Sequence, residues 1–369
     1  MKKLFMIAAL FLLSCSAMAQ NLSFTFEESK VWSEIIAKAK AENKKIFVDC
    51  YTDWCLPCKL LSTRVFSDKE VAAYFNATFI NVKFEMEKDT DAVAMKKEWK
   101  VQAYPTLLFI DPFSGEIMHR LAGMVEPQKL IEEANTAFNP DKNFNSAMTR
   151  YNNGERSPEF MAVYLKRLRE VYMPGYSKEV IANYFDPLTP EQMATKENWE
   201  MIKDNVRDPL SSTLRAVMQH RSLFYAVAGQ QEVDNLLSGL LTQSALDISR
   251  AKPINEKKLT ELSDYLSGID FQSDVAEVFL ESAIMIKDKA YNQLLAKVSG
   301  QHLKLNETMK AMHLLTLSNQ IIGIGDTAIY EQLLGLIDGI FEHTNNPKFT
   351  ALMLQNSRET LAKALGKQL

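Results

Sequence analysis

Short apolar runs alternate with amphipathic stretches over the first third of the chain. Four runs are rich in β-branched and aromatic residues and bounded by turn residues, which predicts strands. These strands cover residues 46–51, 78–84, 106–111 and 116–123. Helical spacing of apolar residues predicts helices over 29–45, 55–75 with a kink near Ser67, 90–99 and 126–138. Strands that alternate with helices predict an α/β layer fold.

The pattern changes after about Phe138. Residues 141–157 are polar and rich in turn residues, which predicts a linker. From residue 158 onward apolar residues recur at helical spacing, and Gly and Pro separate about ten predicted helices. This spacing predicts an all-helical domain built from helical hairpins, and a loose α-solenoid is the alternative. The predicted domains are therefore residues 20–140 and 158–369.

Residues 1–19 have the organisation of a secretory signal peptide. Two lysines precede the apolar run 4–13, and small residues follow up to Ala19, which is typical of a cleavable signal. The run is shorter than the about 20 residues of a membrane span, and no later segment is apolar enough to span a membrane. We expect cleavage after Ala19, a mature chain that starts at Gln20, and a periplasmic or secreted protein. A lipoprotein anchored at Cys15 is the alternative.

Composition and charge narrow the function classes. The chain has 369 residues, with 42 Lys and Arg against 46 Asp and Glu and a formal net charge of −4. This balance does not suggest a nucleic-acid partner, which usually meets a basic face. The chain has only 4 cysteines, which are too few for a disulfide-rich secreted domain.

Three of the cysteines lie in the stretch DCYTDWCLPCKLL, and Cys55 and Cys58 are separated by two residues. Such a pair can be a redox catalyst, half of a zinc site or a structural crosslink. A structural zinc site needs four ligands, and the 5 histidines are scattered without a second pair at ligand spacing. We therefore expect no metal, and histidines that serve packing or the surface. Cys50 lies on a predicted strand and is expected to be a small buried hydrophobic residue.

A purely structural disulfide fits the pair poorly. Stabilisation by a crosslink grows with the loop that it closes, and this pair closes a very short ring. Cys55 instead stands at a predicted helix start, where free backbone N–H groups and the helix dipole stabilise a thiolate. Pro57 falls in the first turn, where its missing N–H breaks no helical hydrogen bond. A CxxC pair within a βαβ pattern therefore indicates redox chemistry.

The motif VDCYTDWCLPCK resembles the active-site segment of the thioredoxin family. The resemblance continues in order through INVKF, YPTLLFID and RLAG, and covers roughly residues 22–138. YTDWC, the CK pair and VFSDKEV are particularly similar to the C-terminal periplasmic domain of the thiol:disulfide interchange protein DsbD. The first helix is similar to that of secreted thioredoxin-like proteins. Leu56 in place of glycine and Cys50 in place of an aromatic residue depart from the usual motif.

The resemblance implies a role for each residue of a candidate site. Cys55 would be the exposed nucleophile and Cys58 the buried resolving thiol of a redox-active disulfide. Asp49 matches the buried acid behind that disulfide, and its carboxyl could exchange a proton with Cys58. Lys83 matches the lysine that pairs with this acid. The alternatives are a half-buried Asp49 at a strand end and an exposed strand lysine at position 83.

The resemblance also implies a substrate-binding edge. Pro105 matches the cis-proline that faces the CxxC pair in the family. The backbone at Tyr104 would then pair with an extended substrate segment. Trp54 would form an apolar lip beside Cys55, and simple packing is the alternative for this tryptophan.

The resulting hypothesis is an exported thiol–disulfide oxidoreductase that needs no cofactor. Cys55 attacks a substrate disulfide, and Cys58 resolves the mixed disulfide. Pro57 and the absence of a histidine before Cys58 favour a reductase or isomerase. The expected partners are protein disulfides and a separate electron-donor protein, with no nucleic acid and no stable membrane span. The alternative is a client-binding or scaffold protein, in which the helical domain binds a partner and the thioredoxin domain is a dock with little turnover.

Overall fold

The computed structural model of the chain describes residues 23–368. The predicted signal peptide, its cleavage after Ala19 and the alternative lipid anchor at Cys15 lie outside the described residues. Within the described part, no helix has the length and apolarity that crossing a bilayer requires. The chain divides into two compact units, with the division between Ile181 and Ala182.

The first unit is built on a four-stranded sheet. Its strands are β1 (Lys45–Tyr51), β2 (Phe79–Glu85), β3 (Thr106–Ile110) and β4 (Ile117–Ala122). Its helices are α1 (Trp32–Ala41), α2 (Leu56–Arg64), α3 (Lys69–Thr78), α4 (Thr90–Glu98), α5 (Pro127–Ala137), α6 (Phe144–Asn152), α7 (Pro158–Glu170) and the first part of α8 (Pro174–Phe185). The strand order is β2-β1-β3-β4, with β1 parallel to β2 and the other pairs antiparallel. The predicted α/β layer fold is confirmed.

Strand β1 divides its side chains between the two faces of the sheet, because neighbouring strand residues point to opposite sides. Val48 and Cys50 enter the apolar core beneath α1 and α4, whereas Phe47 enters the core beneath α2, α3 and α5. Asp49 shares the face of Phe47, since it lies two residues further along the strand. The sequence of β1 thus places a carboxyl group on the face that α2 covers.

The helix predicted over 55–75 is two helices, α2 and α3. Asp68 caps the second one, because its Oδ1 accepts the backbone N–H groups of Glu70 and Val71 at 2.9 and 3.1 Å. An aspartate in this position stabilises a helix start by about 1 kcal/mol. The kink predicted near Ser67 is therefore a break between α2 and α3.

The segment 141–157, predicted as a linker, contains helix α6. Asn143 caps this helix, because its Oδ1 accepts the N–H of Ser146 at 2.8 Å. Helix α6 packs against β4 and α7, and these tertiary contacts explain why a short polar segment is helical. The first unit extends to residue 181, so the predicted domain limits of 20–140 and 158–369 differ from the compact units.

A buried ionic network joins β4 and α5 to the helices that follow. The Nε2 atom of His119 lies 2.7 Å from a carboxylate oxygen of Glu133, and the N–H of Phe144 donates to His119 Nδ1 at 3.1 Å. Glu133 also accepts from Lys129 at 2.5 Å and from Arg167 at 3.0 Å. Burial alone would raise the pKa of Glu133, but the bonds from His119 and Lys129 and the charge of Arg167 lower it to about 2. His119 is thus a hydrogen-bonded core residue.

The second unit is helical throughout its described residues. It contains the rest of α8, then α9 (Pro190–Met193), α10 (Lys196–Asn205), α11 (Ser212–Gln219), α12 (Arg221–Ala228), α13 (Gln230–Arg250), α14 (Glu256–Ser267), α15 (Asp274–Lys287), α16 (Tyr291–His302), α17 (Glu307–Ile321), α18 (Thr327–His343) and α19 (Pro347–Ala364). Helix α13 packs against α15, and α18 packs against α19. Short helices such as α9 lie between the longer ones, so the described chain exceeds the about ten helices that periodicity predicts. The prediction of a helical second part is confirmed.

Two histidines of the second unit form a buried chain of polar contacts. His313 Nδ1 lies 3.3 Å from His302 Nε2, and His313 Nε2 lies 2.8 Å from the hydroxyl of Ser282. Burial lowers the pKa of His313 to about 3 and the pKa of His302 to about 4. The charge of the other histidine adds to the shift at His313, and the charge of Lys310 adds to the shift at His302. Both rings are therefore neutral at pH 7.

We expect the second unit to lose stability as the pH falls below 6.5. The unfolded chain binds protons on His302 and His313 near their ordinary pKa of 6.5, whereas the folded chain does not until about pH 4 to 3. The free energy of unfolding then falls by about 1.4 kcal/mol per pH unit for each histidine. Urea unfolding at pH 7 and pH 4.5 measures this loss. His313→Gln should reduce it, and a change at the exposed His343 should not; an undiminished loss in His313→Gln would contradict the assignment.

Candidate active site

The cysteine pair stands where the chain passes from β1 into α2. Cys55 is the N-cap residue of α2, and Cys58 lies in its first turn. The two side chains form a disulfide with a Cα–Cα distance of 5.4 Å, and the N–H of Cys58 points at Cys55 Sγ from 3.1 Å. Free N–H groups and the dipole at a helix start stabilise an anion. The position therefore favours a thiolate at Cys55 once the bond is reduced.

Exposure does not distinguish the two cysteines in the disulfide form. The resemblance implies an exposed Cys55, but this residue is 2% exposed and Cys58 is 4% exposed. The disulfide joins the N-cap residue of α2 to a residue of its first turn, and both are buried. The adjoining Trp54 and Leu56 are 67% and 66% exposed. The surface around the pair is therefore apolar, although the pair itself is covered.

Asp49 is buried in β1, and Lys83 is its partner in the parallel ladder to β2. Burial raises the pKa of Asp49 to about 7, and the positive charge of Lys83 opposes this rise. No described residue donates a hydrogen bond to Asp49 Oδ1. A carboxyl group with a pKa near 7 is suited to give and take a proton at neutral pH. Lys83 is exposed on its strand, and its charge nevertheless acts on the buried acid.

One cavity of about 230 Å³ is lined by both Asp49 and Cys58. Its inner wall includes Asp49, Thr52 and Cys58, and Lys83 also lines it. The remaining lining residues are Tyr51, Asp53, Lys59, Ser62 and Thr63. The structure thus brings together three of the four predicted catalytic residues, and Cys58 brings Cys55 with it through the disulfide.

Cys50 lies on the opposite face of the sheet from Asp49. It is fully buried in the core beneath α1 and α4, and it is a free cysteine. Burial raises the pKa of its thiol, and the neighbouring Asp49 charge raises it further. The thiolate is the reactive form of cysteine, so Cys50 is inert. The prediction that Cys50 packs as a small hydrophobic residue is confirmed.

The predicted substrate edge combines a proline and two aromatic residues. The Tyr104–Pro105 peptide bond is cis. The ladder of β3 begins at Thr106, so the backbone of Tyr104 lies outside the sheet register. The rings of Trp54 and Tyr104 meet edge to face, with centroids 5.8 Å apart. The structure therefore brings these aromatic residues together, and their contact with substrate stays a prediction.

Two carboxylates that the sequence analysis missed hold the loop before the cysteines. Glu85 is buried at the end of β2 and accepts the N–H of Asp53 at 3.2 Å. Its other oxygen accepts the N–H of Glu87 at 3.0 Å, and Glu87 accepts the indole N–H of Trp54 at 3.0 Å. A glutamate that ends an apolar strand is the available signal, since buried carboxylates need hydrogen-bond partners.

Thr52 is the third residue that the sequence analysis missed. Its carbonyl oxygen accepts the N–H of Cys55 at 3.1 Å. Its side chain is buried, and Oγ1 has no hydrogen-bond partner among the described residues. The sequence carries no signal for Thr52, because threonine is common where a strand ends in a turn.

The zinc alternative has no support from neighbouring side chains. In residues 23–368 no group of three or more His, Cys, Asp or Glu is placed to hold a metal ion. Cys55 and Cys58 are joined to each other, and a structural zinc site would need two further ligands beside them.

The sequence around the site matches a known family. A sequence profile described as thioredoxin-like domain matches residues 32–138. Thioredoxin H4 of Arabidopsis thaliana is 34% identical over 94 residues, which are 25% of this chain and 71% of that protein. The chain belongs to the thioredoxin-like family. The Cys-x-x-Cys pair and the thioredoxin-like relatives together support thiol–disulfide oxidoreductase activity.

The thioredoxin-like part is also similar to a domain of a larger protein. DsbD, the thiol:disulfide interchange protein of Yersinia enterocolitica, is 33% identical over 81 residues, which are 22% of this chain and 14% of DsbD. A solved structure of a candidate disulphide-isomerase from Bacteroides thetaiotaomicron is 44% identical. The match covers 32% of this chain and 96% of the chain in that structure, with a TM-score of 0.30. Each of these two matches covers less than a third of this chain.

Proposed function

We propose that this thioredoxin-like protein is exported and exchanges disulfides in exported proteins, as a reductase or an isomerase. The observation that carries the proposal is the Cys55–Cys58 disulfide at the start of α2. Cys58 shares a cavity with the buried carboxyl of Asp49. A nucleophile at a helix start, a second thiol one turn away and an acid beside that thiol are the groups that dithiol exchange needs.

The reaction begins in the reduced protein with the Cys55 thiolate. It attacks one sulphur of a substrate disulfide, so that a Cys55–substrate bond forms and the substrate S–S bond breaks. The departing sulphur keeps the electron pair and takes up a proton. Cys58 then gives its proton to Asp49 and attacks Cys55. The Cys55–Cys58 bond forms and the Cys55–substrate bond breaks. The second substrate sulphur leaves with the electron pair and takes up a proton, so two electrons are transferred in total.

The other predicted residues act around this exchange. Burial raises the pKa of Asp49, and the charge of Lys83 opposes this rise, so the pKa stays at about 7. Trp54 and Tyr104 offer an apolar surface to the substrate, and the backbone at Tyr104, before Pro105, pairs with an extended segment. Support for this edge comes from the exposure of Trp54 and its ring contact with Tyr104.

Residues 1–19 act as the signal peptide, with cleavage after Ala19, and the clients are proteins with exposed disulfides. Each turnover as a reductase leaves the pair oxidised, so a separate electron-donor protein must reduce it again. The helical second unit then serves client choice or assembly.

We expect the protein that begins at Gln20 to reduce the disulfides of insulin in the presence of dithiothreitol. Cys55→Ser should abolish this activity, because the attacking sulphur is gone. Cys50→Ala is the matched control and should keep most of the activity, since Cys50 is buried on the other face of the sheet. Turbidity of the released insulin chains measures the rate. A folded wild-type protein without turnover would refute the proposal and favour the scaffold alternative.

A further inference from the structure

A second cavity, of about 520 Å³, adjoins the cavity that Cys58 lines. Ser62 and Lys83 line both of them. Ser62 follows Cys58 by one turn of α2, which is about 6 Å along the helix axis. The second cavity therefore extends the surface of the active site on the side of the resolving cysteine.

Three phenylalanines form the apolar wall of this second cavity, which we call the phenylalanine pocket. The ring centroid of Phe24 lies 4.8 Å from that of Phe26 and 4.6 Å from that of Phe66. Phe24 and Phe26 are only half-buried, so both offer ring surface to a ligand. Aromatic side chains attract each other at such spacings, and the volume lies within the roughly 300–1,000 Å³ of ligand pockets. The pocket therefore suits an aromatic side chain.

Two lysines give the phenylalanine pocket a positive rim. Lys69 and Lys83 line it and are exposed, and the ammonium group of Lys83 lies 5.4 Å from the ring centroid of Phe26. Within residues 23–368, neither lysine has a carboxylate oxygen within the 4.0 Å of an ion pair. In the adjoining cavity Asp49 is buried, and Asp53 has an ion-pair partner of its own. The rim therefore favours an anionic ligand.

We propose that the phenylalanine pocket is a client-binding site, which takes an aromatic side chain with carboxylates on either side of it. This inference deepens the proposed function and rests on it, because it names the class of client that the cysteine pair meets. An extended chain advances about 3.3 Å per residue. The pocket begins about one helical turn beyond Cys58, so the aromatic residue should stand about three residues from the client cysteine. Clients with such a segment beside a disulfide are then bound in preference to others.

Peptide binding to the protein that begins at Gln20 tests the pocket without any redox step. The protein carries Cys55→Ser and Cys58→Ser, and the probe is a fluorescent peptide without cysteine, in which one phenylalanine stands between two pairs of glutamates. Fluorescence anisotropy measures the Kd. Replacing the phenylalanine of the peptide by alanine should weaken binding by at least about tenfold, because the buried ring is lost. Raising NaCl from about 0.1 M to 1 M should also weaken binding, since the Debye length falls from about 10 Å to 3 Å.

Lys69→Glu tests the positive rim and should raise the Kd by at least about fivefold, because an attraction becomes a repulsion. Lys97→Glu is the matched control. It makes the same charge change at an exposed residue of α4, on the other face of the sheet, and should leave the Kd unchanged. A second peptide, with lysines in place of the glutamates, should bind Lys69→Glu more tightly than it binds the protein with Lys69.

Turnover then connects the pocket with catalysis. The substrate is the glutamate peptide with a cysteine three residues from its phenylalanine, disulfide-linked to a coloured thiol. In the protein with both active-site cysteines, Lys69→Glu should raise KM at least about fivefold and leave kcat unchanged, as expected when only binding is weakened. The rate of Cys55 alkylation by iodoacetamide should not change, because Lys69 takes no part in the chemistry.

Three results would overturn the proposal: equal Kd values for Lys69→Glu and Lys97→Glu, binding that ignores the phenylalanine of the peptide, and a lower kcat with KM unchanged. Binding that appears only when residues 20–22 are removed would also overturn it, since these residues precede the pocket wall and would then be its occupant. Peptide binding as expected, in a protein whose folded form with both active-site cysteines reduces no disulfide, would support the pocket and refute the proposed function.

Discussion

The Cys58→Ser variant is expected to accumulate mixed disulfides through Cys55. Serine is close to cysteine in size, so packing in the first turn of α2 is preserved. Its hydroxyl cannot attack the Cys55–substrate bond, and the resolving step is lost while the first attack remains. Purified variant incubated with disulfide-containing proteins, and extracts from the native host, should both show higher-mass adducts on non-reducing gels. Adding reductant should convert the adducts back to the free proteins.

The double variant Cys55→Ser/Cys58→Ser is the control for these adducts and should form none. Adducts with many exported cysteine proteins would favour a general reductase or isomerase, and adducts with one partner would favour a dedicated relay. If no adduct forms although the variant is folded and Cys55 reacts with a small alkylating reagent, the site is not a protein disulfide catalyst. The helical unit would then become the main candidate for the working part.

Asp49→Asn is expected to raise the free energy of unfolding of the oxidised protein at alkaline pH. It is also expected to slow the resolution of mixed disulfides. The folded pKa of about 7 lies above the ordinary value of 3.8, so the folded chain binds the proton more tightly than the unfolded chain. The stability that the protonated acid provides is present below pH 3.8 and is lost as the pH rises to about 7. At 1.36 kcal/mol per pKa unit, the loss is on the order of 4 kcal/mol at pH 8.

The amide in Asp49→Asn does not ionise, so the variant should not suffer this loss. Its free energy of unfolding should exceed that of wild type at pH 8 and match it at pH 4, as measured by urea unfolding under oxidising conditions. Resolution of a mixed disulfide should slow by about 10²-fold near pH 7, because the proton acceptor is absent. Asp53→Asn removes an exposed charge next to the same loop and should change neither quantity greatly. A stability difference that is constant with pH would show that the Asp49 carboxyl does not titrate as described.

The strands and the cysteine pair could be predicted because local pattern determines them. The apolar run of β1 and the helix start at Cys55 are visible within a few residues. Lys83 could be placed opposite Asp49 only through the family resemblance, because the ladder joins positions 34 residues apart. Helix α6 was not predicted, since its stability depends on packing against β4 and on the N–H of Phe144 reaching His119.

The roles of Thr52, Glu85 and Glu87 could not be predicted for a different reason. Each acts through a contact that forms only when the loop before the cysteines meets β2 or the cavity. The types of these residues are ordinary for a turn or a strand end. Only their burial, or their partners, sets them apart, and both are properties of the folded chain.

The shared carboxylate of Glu133 limits how this redox domain can be transplanted. A chimera that borrows only residues 32–138, the part that matches the family, would omit Arg167 and the N–H of Phe144. His119 would then lose the donor to its Nδ1 atom, and Glu133 would lose its bond to α7. Grafts onto another protein should therefore extend through α7 to the unit boundary at residue 181.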